Sequence, residues 1–346
     1  MKKCILFFSA FWILYAASAQ SKQYRACIVV FYNLENFYDT VNNPLVNDDD
    51  FTASGSKQYT GNMYRDKVTK LATVISLMGT DITPAGPVLL GVAEIENDTV
   101  LNDLIRHRLL QTRHYEIIHF DSKDARGIDV GLLYQSNYFT PEKAEKLFVQ
   151  MPGNSKKAYY TRDILYVKGV LAGETIHVYV NHWPSRRGGE ERSSPARAAA
   201  AAVCRKHVNT ILEKDPVAKI IVMGDLNDDP DSPSIRDILL ATGNRSHLQQ
   251  GQLFNPWAAL YANGIGTLAN RDSWGLFDQI LLSQSWLNSH QPGLFYRHQV
   301  IFAHDFMKEN TGRYKGYPMR TWDGNTYRGG YSDHFPTYIV LVKNIQ

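Results

Sequence analysis

Several apolar stretches of this chain end in a carboxylate, an amide or an imidazole: Asn33, Glu94, His182, Asp225 with Asn227, Asp278, and Asp333 with His334. Singly, each has a plainer reading. Asp and Asn after a strand serve as turn formers, and a histidine in an apolar run can be a satisfied core residue. Glu94 resists that reading, because VLLGVAEIE has no turn chemistry and a carboxylate carried in by a core strand needs a partner. Asp225 and Asn227 lie two apart, so an extended backbone points both to one face. Oxygen donors without cysteine are the ligand set of Mg2+, Mn2+ or Ca2+ rather than of a closed zinc site. Magnesium keeps several waters, so one Glu and one Asn suffice. An imidazole can take a proton from water or give one to a leaving oxygen near neutral pH, provided a carboxylate fixes its tautomer. Asp278 and Asp129 are the carboxylates available for two histidines.

Those side chains meet only if their strands share one edge. Ala26–Tyr32 (ACIVVFY), Val88–Ala93 and Lys219–Met223 read as buried strands that deliver Asn33, Glu94 and Asp225. Glu116–Phe120, Asp129–Tyr134, Ile164–Leu171, Thr175–Asn181, Leu276–Leu282, Leu294–Phe302 and Phe335–Val342 read as further strands. Apolar residues recur with the helical period over Arg65–Met78 and Thr99–Leu110. Ser193 and Ser194 before Pro195 mark the start of a third helix that reaches Lys214. Residues 39–62 and a Gly/Tyr/Arg-rich stretch from His304 to Tyr331 read as long loops. With no internal repeat or composition break, the economical architecture is one α+β domain with two sheets and helices outside them.

The chain has 346 residues with 44% hydrophobic and 21% charged, which excludes a disordered, collagenous or disulfide-framework protein. Its formal charge of +3 counts Lys2 and Lys3, and so small a balance argues neither for nor against a polyanionic partner. Met1-Lys2-Lys3, the apolar run Cys4–Ala17 and the small-x-small site Ala17-Ser18-Ala19 form the pattern of a secretory signal cleaved after Ala19, with residues 20–346 as the mature domain. The run is too short for a spanning helix, so the expectation is an exported protein without a transmembrane segment. Cys27 and Cys204 then remain, and read as two free, buried thiols.

Seven segments occur in a telling order: NLEN (33–36), GVAEIEND (91–98), RGIDVGLLY (126–134), VNHWPSR (180–186), VMGDLNDDP (222–230), FDQILLS (277–283) and YSDHFP (331–336). Together they resemble the endonuclease/exonuclease/phosphatase superfamily, which includes deoxyribonuclease I, apurinic endonucleases, neutral sphingomyelinases and inositol polyphosphate phosphatases. The resemblance spans Ala26 to Val342 and implies a four-layer αββα sandwich. It makes Asn33 and Glu94 the ligands of a divalent metal, Mg2+ with Mn2+ or Ca2+ as alternatives, and sets Asp333 close to it. Asp225 becomes the carboxylate that positions the attacking water, and Asn227 bonds the phosphate. His334 becomes the catalytic imidazole oriented by Asp278. His182 matches a second histidine of the deoxyribonuclease and sphingomyelinase branches, with Asp129 as its orienting carboxylate, and Arg162 resembles a phosphate-contacting arginine.

Arg186 and Arg187 after the His182 motif, and Arg313, Lys315, Arg320 and Arg328 before Ser332, suit phosphate recognition. Trp183, Tyr314, Tyr317, Trp322 and Tyr327 interleave with them and suit base stacking, or equally pack the loop on the body. The expectation is a monomeric, metal-dependent phosphodiesterase acting on nucleic acid with low sequence specificity and no stable protein partner. Two alternatives stand beside it: a phosphatase or phospholipid or inositol-phosphate headgroup hydrolase of the same superfamily, and a catalytically silent binding protein.

Overall fold

The structure, a computed structural model, describes residues 24–152, 160–270 and 272–344. The predicted leader and its cleavage point lie outside the described residues. Along the chain run β1 (Tyr24–Phe37), α1 (Gly61–Leu77), β2 (Pro87–Ile95), α2 (Asp98–Arg106), β3 (Tyr115–His119), β4 (Asp129–Gln135), β5 (Phe139–Leu147), β6 (Ile164–Leu171) and β7 (Glu174–His182). Next come α3 (Glu190–Leu212), β8 (Lys219–Asp225), β9 (Ala241–Thr242), β10 (Leu253–Phe254), α4 (Ala258–Ala262), β11 (Leu268–Asn270) and β12 (Ser273–Gly275). The last elements are β13 (Asp278–Ser283), β14 (Leu294–Ile301), β15 (Trp322–Asp323), β16 (Thr326–Tyr327) and β17 (Thr337–Asn344). None of the helices among the described residues is long and apolar enough to cross a membrane.

Two mixed sheets form the body. The first has the order β14-β17-β1-β2-β4-β3, and the second β5-β6-β7-β8-β13-β10-β9. Their facing sides share one core, in which Val29, Ala93, Leu132 and Leu341 of the first sheet meet Val167, Val180, Met223 and Ile280 of the second. The sheets approach so closely at Gly91 that a Cβ there would stand 2.5 Å from the Met223 sulfur. On the outer face of the first sheet, Val30 and Val92 pack on Leu71 and Ile75 of α1 and Leu101 and Leu104 of α2. On the outer face of the second, Tyr179 and Val222 pack on Ala200, Cys204 and Val208 of α3. This is the expected αββα sandwich, and both described cysteines are free and buried.

Strand direction gathers the polar ends. β1 and β2 are parallel, as are β7 and β8, so their C-terminal ends lie side by side within each sheet. β13 runs antiparallel to β8 with Asp278 opposite Asp225, and β17 runs antiparallel to β1 with Thr337 opposite Phe31. The start of each of these strands therefore lies at the same rim as the ends of their neighbours.

Some element boundaries differ from the sequence reading. α3 begins at Glu190, not at the Ser-Ser-Pro signal, so Pro195 lies inside the helix. The extra turn is held by Arg197, whose guanidinium donates to the Ser193 hydroxyl and the Glu190 carbonyl. The long loops carry local structure: a 3-10 turn at Asp49–Phe51, and the β15/β16 hairpin before β17. β5 has no clear signal, because FTPEKAEKL is an exposed, charged edge strand that buries little.

Candidate active site

The two sheets touch at the rim through Asn33 and Asp225. The Asn33 side-chain amide donates to Asp225 Oδ2 at 3.0 Å, while its own Oδ1 accepts from the Glu35 N–H at 2.9 Å. His182, the last residue of β7, sets its Nε2 3.6 Å from Asp225 Oδ2 and 3.9 Å from Glu94 Oε1. His334 Nε2 lies 3.9 Å from the same Asp225 oxygen and 3.9 Å from Asp333 Oδ1. Its Nδ1 is 2.7 Å from Asp278 Oδ2. A continuous series of contacts under 4 Å thus runs from Glu94 through His182 and Asp225 to His334 and Asp278.

Backbone geometry at the rim is costly, and it concentrates on these residues. Glu94 (φ 60°) and Asn227 (φ 50°), with Glu35 and Asn36, occupy the left-handed region that non-glycine residues avoid. The conformation at Glu94 turns its carboxylate back to accept the Asn36 N–H at 2.8 Å. At Asn227 it brings the backbone N–H onto Asp225 Oδ1 at 3.0 Å and the side-chain amide onto the Trp183 carbonyl at 3.0 Å. The glycine of the GDLN motif has a separate reason. A Cβ at Gly224 would stand 2.3 Å from the Asn181 carbonyl oxygen of the parallel strand.

Burial and charge push the titrating groups apart. Burial, offset in part by His334, raises the Asp225 carboxyl to about 7. Burial alone would lower His334, but the charge and hydrogen bond of Asp278, then Asp225 and Asp333, raise it well above the usual imidazole range. Burial, then the Arg162, Arg126 and His334 charges, hold His182 well below that range and hence neutral. Asn33, Glu94 and Asp225 present hard oxygen donors with no thiol among them, and this donor set fits a divalent cation of the Mg2+, Mn2+ or Ca2+ kind. Asp225, Asp278 and His334 also offer ligand atoms within 4.8 Å of one another, but the 2.7 Å bond between the last two already engages His334 Nδ1.

Three expected roles need correction. Asp129 does not orient His182: it accepts from the Ser122 N–H and faces His119, while His182 Nδ1 is buried without a hydrogen-bond partner. Arg162 is no surface phosphate clamp. It is buried behind the site, donating to the His182 carbonyl at 3.2 Å and the Trp183 carbonyl at 2.7 Å and pairing with Asp124 at 3.1 Å. Arg186 lies under the GDLN turn, where it donates to the Asn227 carbonyl and pairs with Asp228, Asp229 and Glu190. Its positive charge is thus already matched. Nor are two of the aromatic residues free to stack: Trp183 is buried on the α3 side, and Trp322 packs among Tyr38, Phe51 and Tyr59. Asp333 sits at the mouth of the site with Arg320 3.5 Å away, and that arginine is half-exposed.

Other residues at the site escaped the sequence reading. The Thr267 hydroxyl donates to Asp278 from a loop that carries no signal. Ser332 donates to the Asn33 carbonyl and accepts from the His334 N–H, a turn that the Ser-x-His spacing could have suggested. Lys67 is fully buried and donates to the Thr321 hydroxyl and the Tyr331 carbonyl, while Glu35 accepts from the Thr321 and Trp322 N–H groups. The signal for Lys67 was its position, four and eight residues before Leu71 and Ile75 on the buried face of α1.

Comparison with known proteins agrees with this architecture. A model of the endonuclease/exonuclease/phosphatase family matches residues 28–343. The chain belongs to that family. Its fold resembles an endonuclease/exonuclease/phosphatase family protein from Bacteroides thetaiotaomicron (TM-score 0.56, 16% identity, covering 94% of this chain and 100% of that one). It also resembles a mannosyl-6-phosphatase from Bacteroides thetaiotaomicron VPI-5482 (TM-score 0.54, 16% identity, 91% and 99% covered). A third is D. rerio TDP2 complexed with a single-strand DNA product (TM-score 0.51, 15% identity, 91% and 98% covered). No curated protein matches the chain. At these identities the resemblance shows the fold alone.

Proposed function

We propose that this family member is an exported, divalent-metal-dependent phosphoester hydrolase, with Mg2+ as the resident ion and phosphodiesters of nucleic acid as substrates, cut with low sequence specificity. The observation that carries the hydrolase reading is the convergence of two imidazoles and an asparagine on one carboxylate, Asp225. Asn33 and Glu94 would hold the ion, which when bound neutralises phosphoryl oxygen charge. Asp225, with a carboxyl near 7, is matched to accept a proton from the attacking water near neutral pH. His334, kept cationic by Asp278, offers charge and a proton to phosphoryl or leaving oxygens. Neutral His182 contributes a hydrogen-bond donor at Nε2, because that nitrogen faces carboxylate oxygens. Export rests on the leader pattern of residues 1–19.

A second substrate reading has its own support. Arg162 is buried, partly exposed Arg186 is paired with Asp228, Asp229 and Glu190, and Trp183 and Trp322 are buried, so fewer side chains remain to grip a polynucleotide. A small phosphomonoester needs less. Half-exposed Arg320 beside Asp333, and exposed Arg187, serve either substrate. Plasmid DNA, RNA, sphingomyelin and chromogenic phosphomono- and diesters, each assayed with Mg2+, Mn2+ and Ca2+, separate the readings. Nucleic-acid cleavage that disappears in Glu94→Gln and His334→Ala supports the first, and phosphate release from monoesters alone supports the second. Turnover of no substrate, with binding retained in both variants, rejects the hydrolase.

A further inference from the structure

We propose that His119, Asp121 and Asp129 form a second cation site, separate from the cleft and built for Zn2+. His119 ends the edge strand β3, Asp129 opens β4 beside it, and Asp121 lies in the loop between them. The His119 side chain is only 3% exposed, and its Nε2 is buried without a hydrogen-bond partner. That nitrogen lies 3.5 Å from Asp129 Oδ2 and 4.0 Å from Asp121 Oδ1. One ligand atom from each of the three residues falls within 4.8 Å of the others. Two ligands each about 2.0–2.2 Å from a tetrahedral ion stand roughly 3.3–3.6 Å apart, so small movements would close the site.

The surrounding contacts are those a metal-binding imidazole needs. Nδ1 is 2.8 Å from Asp98 Oδ1, which fixes the proton on Nδ1 and leaves the Nε2 lone pair facing two carboxylates. A lone pair held between anionic oxygens is repelled unless a cation lies among them. The Ser122 N–H holds Asp129 Oδ1 at 2.9 Å, which leaves Oδ2 for the ion. Asp121 is 88% exposed in its side chain and can move to complete the set. One imidazole, two carboxylates and a water suit Zn2+. Burial by itself disfavours charge on His119, yet Asp129 and then Asp98 outweigh it, so the pocket attracts positive charge of either kind, a proton or a metal ion.

The site has a route to the cleft. The 121–128 loop carries Asp124, whose carboxylate holds Arg162, and Arg162 holds the carbonyls of His182 and Trp183. An ion at His119 would brace that loop. The test is calorimetric titration of the metal-free full chain with Zn2+, with millimolar Mg2+ present to occupy the cleft. The expected result is one site whose affinity falls at least tenfold in His119→Gln and in Asp121→Asn and is unchanged in Glu94→Gln. Should His119→Gln fail to fold, the exposed Asp121→Asn decides. Parental Zn2+ affinity in Asp121→Asn and His119→Gln, or a loss confined to Glu94→Gln, would overturn the proposal and leave a proton as the occupant of Nε2.

Discussion

Arg162 and Asp225 show how differently two buried charged residues can serve one site. Arg162 spends its donors on the carbonyls at the end of β7 and just beyond it, so its work is to hold the backbone that presents His182. Replacing it with Met is expected to cost about 1–3 kcal/mol through unsatisfied buried groups. Urea unfolding should show this loss, and steady-state kinetics should show a fall in kcat with KM near the parent value. A raised KM at parental stability would restore the phosphate contact that the sequence suggested. Asp225 acts through its charge. Its carboxyl is raised to about 7 by burial, so the folded chain holds a proton that the unfolded chain releases near pH 4. Its contribution to the stability of the metal-free protein is therefore fuller at low pH and declines as pH rises from about 4 to 7, whereas His182, held low by burial, opposes this trend on the acid side. The expected measurement, in chelator, is that Asp225→Asn lowers the urea midpoint at pH 5 relative to that at pH 8, compared with the same difference in the parent. An unchanged difference would place the titration elsewhere.

At the level of elements, the loop before β17 is tied to α1 and β1 by two buried residues of opposite charge, each bonded to the loop, rather than by apolar packing alone. Lys67 of α1 reaches Thr321 and Tyr331, and Glu35 at the end of β1 takes the N–H groups of Thr321 and Trp322. Burial and the Asp333 charge push Glu35 up to about 7, and burial pushes Lys67 down to about 8. Removing one partner strands the other charge, so Lys67→Met is expected to destabilise the protein by ~3–5 kcal/mol, and adding Glu35→Leu to recover much of that loss. Denaturant midpoints of the single and double variants test this, and an additive double variant would dismiss the pairing. This clasp also shows where the sequence was silent. The loop read as polar and irregular because its anchors, Glu35 and Lys67, are some 250 or more residues away along the chain, and no local pattern links them. The strands that deliver Asn33, Glu94 and Asp225 were legible because a buried apolar run seldom ends in a polar side chain unless that side chain is used. Pro195 misplaced the start of α3 because Arg197 sustains a turn that local capping rules place outside the helix.

For the whole molecule, the sandwich accounts for residues hundreds of positions apart forming one site. Parallel pairs β1/β2 and β7/β8, with antiparallel β17 and β13, put six polar positions on one rim, and the shared core fixes the gap between the sheets. The positions were legible from their repetition, and their chemistry from resemblance. Partners such as Thr267 were not, because a lone threonine in a loop carries no period or spacing. On the function proposed above, such a rim would work cooperatively, with Glu94 and His334, linked through His182 and Asp225, serving the same phosphoryl group. The most direct test is a double-mutant cycle on Mg2+-dependent hydrolysis of a chromogenic phosphoester, with Glu94→Gln, His334→Ala and both together. Each single change should lower kcat by about 10²–10⁴, and the double should lose little more than the worse single, because the residues work as a unit. Parental turnover in either single variant, or losses that simply multiply in the double, would contradict a single shared site.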